Sequence, residues 1–279
     1  MLINGNQQMK NTSASIAEPV ALFLFAHQDD ETGIFQKIVD EVQLGHRVCC
    51  AFLTDGVVNG GSAHRRNQES LSVLKQLGVH GQDIFFAGTD LSIPDTGLPE
   101  HLETAANWMH KWLSGFSQVE SIYVLAWEGG HPDHDALHAI AVTIAAEMGL
   151  SARVRQFLLY NGYGCVAPFF RVFIPLSLNG RVEKTAISWR NRLKFLRYCL
   201  SYPSQAKTWA GLFPFVVFHY LFNGKQLLQS VSTERIQQRP HEGRLYYESR
   251  GFSTWGEMST RLYEWRKADQ SVISKKNIK

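Results

Sequence analysis

Two short segments of this 279-residue sequence carry imidazole and carboxylate groups at spacings that suit metal chemistry. The first is Ala26-His27-Gln28-Asp29-Asp30-Glu31, and the second is Gly130-His131-Pro132-Asp133-His134-Asp135. Each alone has a plainer explanation, because acidic residues favour helix N-termini and aspartate is a good helix cap. Two such clusters, each with histidine and aspartate, argue for a shared ion. Zinc accepts imidazole nitrogen and carboxylate oxygen, and a catalytic zinc keeps one position open for water. The same ligands suit Fe2+ and other divalent ions. His27 and Asp30 can both bend toward one point from a strand-to-helix turn. The third ligand comes from His131, His134 or His138. His134 and His138 are four apart on one helical face, so spacing does not choose among the three. Asp29 is a spare carboxylate beside the ligands, as a general base for metal-bound water requires. The metal would bring that water toward a pKa of about 7. A protonated histidine could share the oxyanion's charge with it.

These residues matter only if the chain brings them together. From Val20 to about Tyr160, apolar runs alternate with helical patterns. Val20 to Ala26 reads as a strand buried on both faces, followed by a helix with Ile34, Ile38 and Val42 inward and Gly45 as its stop. Arg47 to Leu53 is a second strand. Ser62 caps a helix with Leu71, Leu74 and Leu77 inward, closed by Gly78. Ile84 to Ala87, Ser121 to Ala126 and Val154 to Tyr160 complete the strands. Leu98 to Leu113 and His134 to Met148 are the remaining helices. Such alternation predicts a parallel sheet with helices on both faces and its site at the strands' carboxyl ends. Both segments directly follow strands.

The composition fits one large domain or a domain with an appendage: residues 1–18 as a flexible N-terminus, 19–160 as the core and 161–279 as an irregular extension packed on it. A net charge of +3 is too small to imply nucleic acid as a partner. Cys49, Cys50, Cys165 and Cys199 form no C-x-x-C pair, which points to a reduced chain. Met1 to Glu18 lacks the apolar stretch of a signal peptide, and no run reaches the roughly 18 apolar residues of a membrane span. Cytoplasmic is the expected location.

The two segments resemble the A-H-P-D-D-E and H-P-D-H motifs of the PIG-L/LmbE-like zinc-dependent N-deacetylases. The likeness extends to Thr54-Asp55-Gly56, to Arg66 and Glu69 ahead of Leu77-Gly78-Val79, and to Asp95 in Pro94-Asp95-Thr96-Gly97. It extends more loosely to Arg239-Pro240-His241-Glu242-Gly243. It implies an α/β fold, a Rossmann-like three-layer sandwich with a mostly parallel sheet, plus an irregular helical C-terminal extension. It implies His27, Asp30 and His134 as Zn2+ ligands and Asp29 as general base. His131 would stabilise the intermediate, with Asp133 orienting it, and Arg66 and Asp95 would contact the sugar or the intermediate. His138 is left outside the ligand set. One departure is Gln28, which stands where the family has proline. The zinc needs nothing from it, so the site should survive.

The implied reaction is attack of zinc-bound water on the acetamide of an N-acetylated sugar or glycoconjugate of the N-acetylglucosaminyl type. The same ligands would serve an amidase that cleaves a thiol-conjugate or another amide. A nucleotide-binding module is disfavoured, because the first strand-to-helix turn carries two aspartates instead of G-x-G-x-x-G. Arg66 and Glu69, three apart on a helix, could instead pair with each other. Beyond residue 161, Trp189, Leu193, Leu196 and Leu200 mark one helical face, which a core or a subunit contact would bury. The basic Arg190, Arg192, Lys194 and Arg197 and the apolar stretch from Trp209 to Phe222 also permit peripheral membrane contact. The oligomeric state stays open.

Overall fold

A central strand whose residues are all apolar must be covered on both faces, and β1 (Val20–Phe25) is buried along its whole length. The structure is a computed structural model and describes residues 18–276, except 59 and 167. The N-terminus expected to be flexible therefore lies outside the described residues, apart from Glu18.

After β1 the chain forms α1 (Phe35–Gln43), β2 (Arg47–Phe52), α2 (Ala63–Leu77), β3 (Ile84–Phe85), α3 (Ala87–Asp90), α4 (Leu102–Ser114), β4 (Val119–Leu125), α5 (Pro132–Glu147) and β5 (Val154–Phe157). Then come β6 (Tyr160–Asn161), β7 (Arg171–Val172), β8 (Val182–Ala186), α6 (Trp189–Cys199), α7 (Ala206–Phe218), β9 (Lys225–Ser230), α8 (Tyr246–Ser249) and α9 (Trp255–Lys276). Local chemistry sets several boundaries. The Ser62 hydroxyl accepts the Arg65 N–H at the start of α2, and Gly78 ends that helix at φ +102°.

The main sheet runs β3-β2-β1-β4-β5-β9-β8, with parallel pairing from β3 to β5 and antiparallel pairing beyond. The mostly parallel α/β sheet is the one expected. The C-terminal region adds two strands to this sheet, where the sequence predicts an irregular extension. β8 is largely exposed and mostly polar, so no apolar alternation announced it.

Strand order is what builds the site. β1 and β4 are neighbours, with Leu24 opposite Val124, while β2 lies on the other side of β1. Connections leave in opposite directions from this pair, so a crevice opens at their carboxyl ends. The two histidine-aspartate segments emerge there, side by side.

Candidate metal and catalytic site

The first segment leaves β1 in a tight turn whose backbone Asp30 ties down. Its Oδ2 accepts the N–H of Ala26 at 3.0 Å and of His27 at 2.7 Å. Asp29 has φ +129°, an uncommon conformation for a residue with a Cβ. Glu31 holds it there by accepting its N–H at 2.9 Å. Glu31 itself is fully buried and accepts the Tyr202 hydroxyl at 2.9 Å, so the C-terminal region braces this turn. Burial lifts the Glu31 carboxyl to about 7.

The second segment opens α5. His131 caps the helix, its Nδ1 accepting the Asp133 N–H at 3.3 Å, and Pro132 occupies the first turn, where a missing N–H costs nothing. Gly130 passes against the Tyr160 carbonyl so closely that a Cβ would collide with it.

His27 Nδ1 lies 3.3 Å from His134 Nε2, Asp30 Oδ1 lies 3.2 Å from that same nitrogen, and Asp30 Oδ2 lies 3.6 Å from His27 Nδ1. Bonds of about 2.0–2.1 Å in a tetrahedral site put ligand atoms roughly 3.3 Å apart. His27 Nδ1 and Asp30 Oδ1 each lie at that spacing from His134 Nε2, whereas the Asp30 oxygen nearer His27 is Oδ2, which also holds two backbone N–H groups. Imidazole and carboxylate donors are the chemistry that a divalent cation takes. A wider grouping of His27, His131 and His134 also keeps its ring nitrogens within 4.8 Å of one another, and so do donor atoms of His27, Asp95, His131 and Asp133. In His131, Nδ1 already accepts a backbone N–H. Its proton therefore sits on Nε2, which faces Asp95 Oδ1 at 3.5 Å.

Asp29 stands beside this triangle with its Oδ1 3.3 Å from Arg66 Nη2. Burial raises its pKa to about 7, with Arg66 pulling the other way. Burial also lowers His131 to about 4, and the neighbouring His27 adds to that. His27 itself is raised, Asp95 and the other carboxylates around it outweighing its burial. Asp95 is held well below the usual range by His27, His131 and Arg66, against its own burial.

The structure thus brings His27, Asp29, Asp30, Arg66, Asp95, His131, Asp133 and His134 into one crevice. Several partners differ from those the sequence suggested. Asp133 lies 2.9 Å from His27 Nε2 but 3.8 Å from His131 Nδ1. It also accepts the N–H of Thr96 at 2.6 Å and of Leu98 at 3.0 Å, locking the Asp95 loop onto α5. Arg66 does not pair with Glu69. It binds the carbonyls of Gln28 and Gly56, while Glu69 takes Arg65 and Ser204. His138 is buried below the site with Nδ1 2.7 Å from the Leu125 carbonyl.

Gln28 replaces a stiff ring with a cross-link. Its Nε2 donates to Asn67 Oδ1 at 2.7 Å and to the Thr54 carbonyl at 3.3 Å, joining the first turn to α2 and the β2 loop. Gly56, at φ +67°, has no room for a Cβ between Gln28 and Arg66.

Two wall residues escaped the sequence reading. The Tyr160 ring lies 5.5 Å from that of His134, and the Phe252 ring lies 5.4 Å from that of His131. Tyr160 follows β5 at the same sheet edge, a position that could have flagged it. Phe252 has no local signal. The segment around His241 backs the second motif: Trp127 Nε1 donates to the Gln238 carbonyl at 3.0 Å, and Tyr246 N–H to the Gly129 carbonyl at 2.9 Å.

Residues 22–145 match the PIG-L family model, described as GlcNAc-PI de-N-acetylase. No curated protein sequence matches the chain significantly. Among solved structures, the fold is similar to a deacetylase of the teicoplanin biosynthesis pathway: TM-score 0.59 and 16% identity, over 76% of this chain and 98% of that one. It is similar to N,N'-diacetylchitobiose deacetylase from Pyrococcus horikoshii: TM-score 0.54 and 18% identity, over 81% and 88%. It is also similar to the zinc-inhibited form of a teicoplanin deacetylase: TM-score 0.53 and 15% identity, over 76% and 98%.

Proposed function

Residues 22–145 being a PIG-L-family domain and the chain accordingly an amide hydrolase, we propose that it is a metal-dependent N-deacetylase, releasing acetate from an N-acetylated sugar of the N-acetylglucosaminyl type. The observation that carries this reading is the triangle of His27 Nδ1, Asp30 and His134 Nε2 with the spare Asp29 carboxylate beside it. We assign the three as ligands of Zn2+ or another divalent ion. When bound, the ion would polarise the acetamide carbonyl and bring water into its ionising range near pH 7.

The chain's own residues would do the rest. Asp29, steadied by Arg66 and by its backbone bond to Glu31, takes a proton from the attacking water. The His131 Nε2–H points into the crevice, where it can donate to the oxygen on which negative charge develops. Asp133 holds His27 through Nε2, which leaves Nδ1 as the coordinating nitrogen. Arg66 and Asp95 form the adjoining wall, the place to meet sugar hydroxyls. The products are a free amine and acetate, with the proton returned to the leaving nitrogen.

The test is an acetate-release screen over free, nucleotide-linked and lipid-linked N-acetyl sugars, using metal-stripped protein reloaded with Zn2+, Fe2+, Co2+ or Mn2+ in turn. Acetate and amine should appear together, only with metal. Asp29→Asn should lower the rate by about 10²–10⁴-fold while leaving bound metal unchanged. Loaded protein that ignores every acetamido sugar yet hydrolyses another amide would overturn the substrate. Full activity in Asp29→Asn would overturn the base.

A further inference from the structure

The stripe of α6 that a core would be expected to bury faces outward. Phe195, Tyr198 and Cys199 are the buried residues of that helix, whereas Trp189, Leu193 and Leu200 are 59%, 64% and 66% exposed. At 3.6 residues per turn the exposed three fall on one side, beside the half-buried Leu196, and Arg190, Lys194 and Arg197 line one edge of that side. α7 packs against α6 and adds Phe215, while Phe218 and Phe222 beyond it are 65% and 73% exposed. The Phe218 and Phe222 rings touch at 4.6 Å between centroids, forming a raised aromatic edge. Contiguous apolar surface of this kind marks an interaction site.

Charge says which partner fits. Between residues 148 and 233 there are eleven lysines and arginines and a single acid, Glu183, a balance of +10 in a chain of net +3. Glu183 is paired with Arg155 at 3.0 Å. Arg192 is structural, binding the carbonyls of Ile187, Tyr220 and Gly224, but Arg190, Arg197, Lys207 and Lys225 are exposed around the apolar residues. Aromatic and aliphatic side chains ringed by cations match a bilayer whose headgroups are anionic: the rings enter the interface and the cations meet phosphate. No helix among the described residues is long and apolar enough to cross a membrane, so the contact is peripheral.

We propose that α6, α7 and the Leu221-Phe222 turn form a docking surface for an anionic lipid bilayer. The surface adjoins the crevice: ring contacts run from His134 to Tyr160, from Tyr160 to Phe170 at 6.2 Å and from Phe170 to Phe215 at 5.4 Å. A substrate anchored in the same leaflet would meet the site at the membrane. That last consequence rests on the deacetylase reading, whereas the docking itself does not.

Flotation with vesicles tests it without any enzymatic readout. The intact chain should float with phosphatidylcholine vesicles in which roughly a third of the lipid is phosphatidylglycerol, and stay behind with phosphatidylcholine alone. Binding should weaken in high salt, which screens the attraction. At about five-fold per cation, the triple change Arg190→Glu, Lys194→Glu, Arg197→Glu should lower the apparent affinity at least about a hundredfold, while Lys111→Glu on α4 should not. Phe218→Ser with Phe222→Ser should abolish flotation without moving the melting temperature. Failure of the wild-type chain to float at low salt would overturn the proposal, as would flotation that survives both sets of changes. A wild-type dimer that these two serines convert to monomer would assign the surface to a second copy and equally overturn it.

Discussion

Two apolar helices of this molecule meet opposite fates. α5 is buried from Pro132 to Val142, wedged between the sheet, α4 and α9, with Asp133 and Asp135 in its first turn. α7 is as apolar, yet only Trp209 and Val216 are buried, and Phe215 and the neighbouring Phe218 and Phe222 look outward. α5 is apolar because a parallel sheet must be covered. α7 packs on α6 and on the short β7, which leave part of its apolar surface uncovered. Hydrophobicity in the sequence records that a surface wants covering and is silent on what covers it.

Substitutions can break that contrast or sharpen it. The largest effect should come where α5 begins. Losing an outer partner of a metal ligand costs about 10–100-fold in affinity, so His134→Ala should cost more than that, seen by metal analysis after gel filtration. Metal retained at full stoichiometry would remove His134 from the site. Next is the α5 core: Leu137→Ala empties a fully buried position and should cost about 2–5 kcal/mol in urea unfolding.

The third concerns acid. Burial lowers His138 to about 4, below the roughly 6.5 expected when unfolded, so between those values the unfolded chain takes up the proton and the native one does not. The stability it supports is complete above pH 6.5 and falls by roughly 3 kcal/mol as pH drops to about 4. His138→Asn, able to keep the bond to Leu125, should flatten this limb, as unfolding curves at pH 7 and 5 would reveal. An unchanged slope would place the acid sensitivity elsewhere. Gln28→Ala, which cuts the bridge to Asn67 and Thr54, should cost about 1 kcal/mol. The smallest effect belongs to α7: Phe218→Ala should stay within about 0.5 kcal/mol, the mark of a side chain that packs on little of its own protein. A loss near that of Leu137→Ala would erase the distinction between the two helices.

The alternation of strands and helices up to Tyr160 was legible because each element writes its own period locally: apolar runs for β1 and β4, three-to-four spacing for α2 and α4, glycine stops after α1 and α2. The placing of both histidine-aspartate segments at carboxyl ends was legible for the same reason. Chain spacing could not decide among His131, His134 and His138, because that depends on how the start of α5 is set against the turn after β1. The partner of Asp133, the hold of Arg66 on Gln28 and Gly56, the wall made by Phe252 and the brace from Tyr202 to Glu31 are likewise contacts between distant parts of the chain. Strands β8 and β9 join the sheet through backbone bonds, to which their side chains give little clue. The outward turn of the α6 stripe follows from a packing choice: Phe195, Tyr198 and Cys199 reached the core, and one helix cannot bury both of its sides against a single neighbour. Residue types thus determined the chemistry on offer, and the order of strands in the sheet decided which atoms could share it.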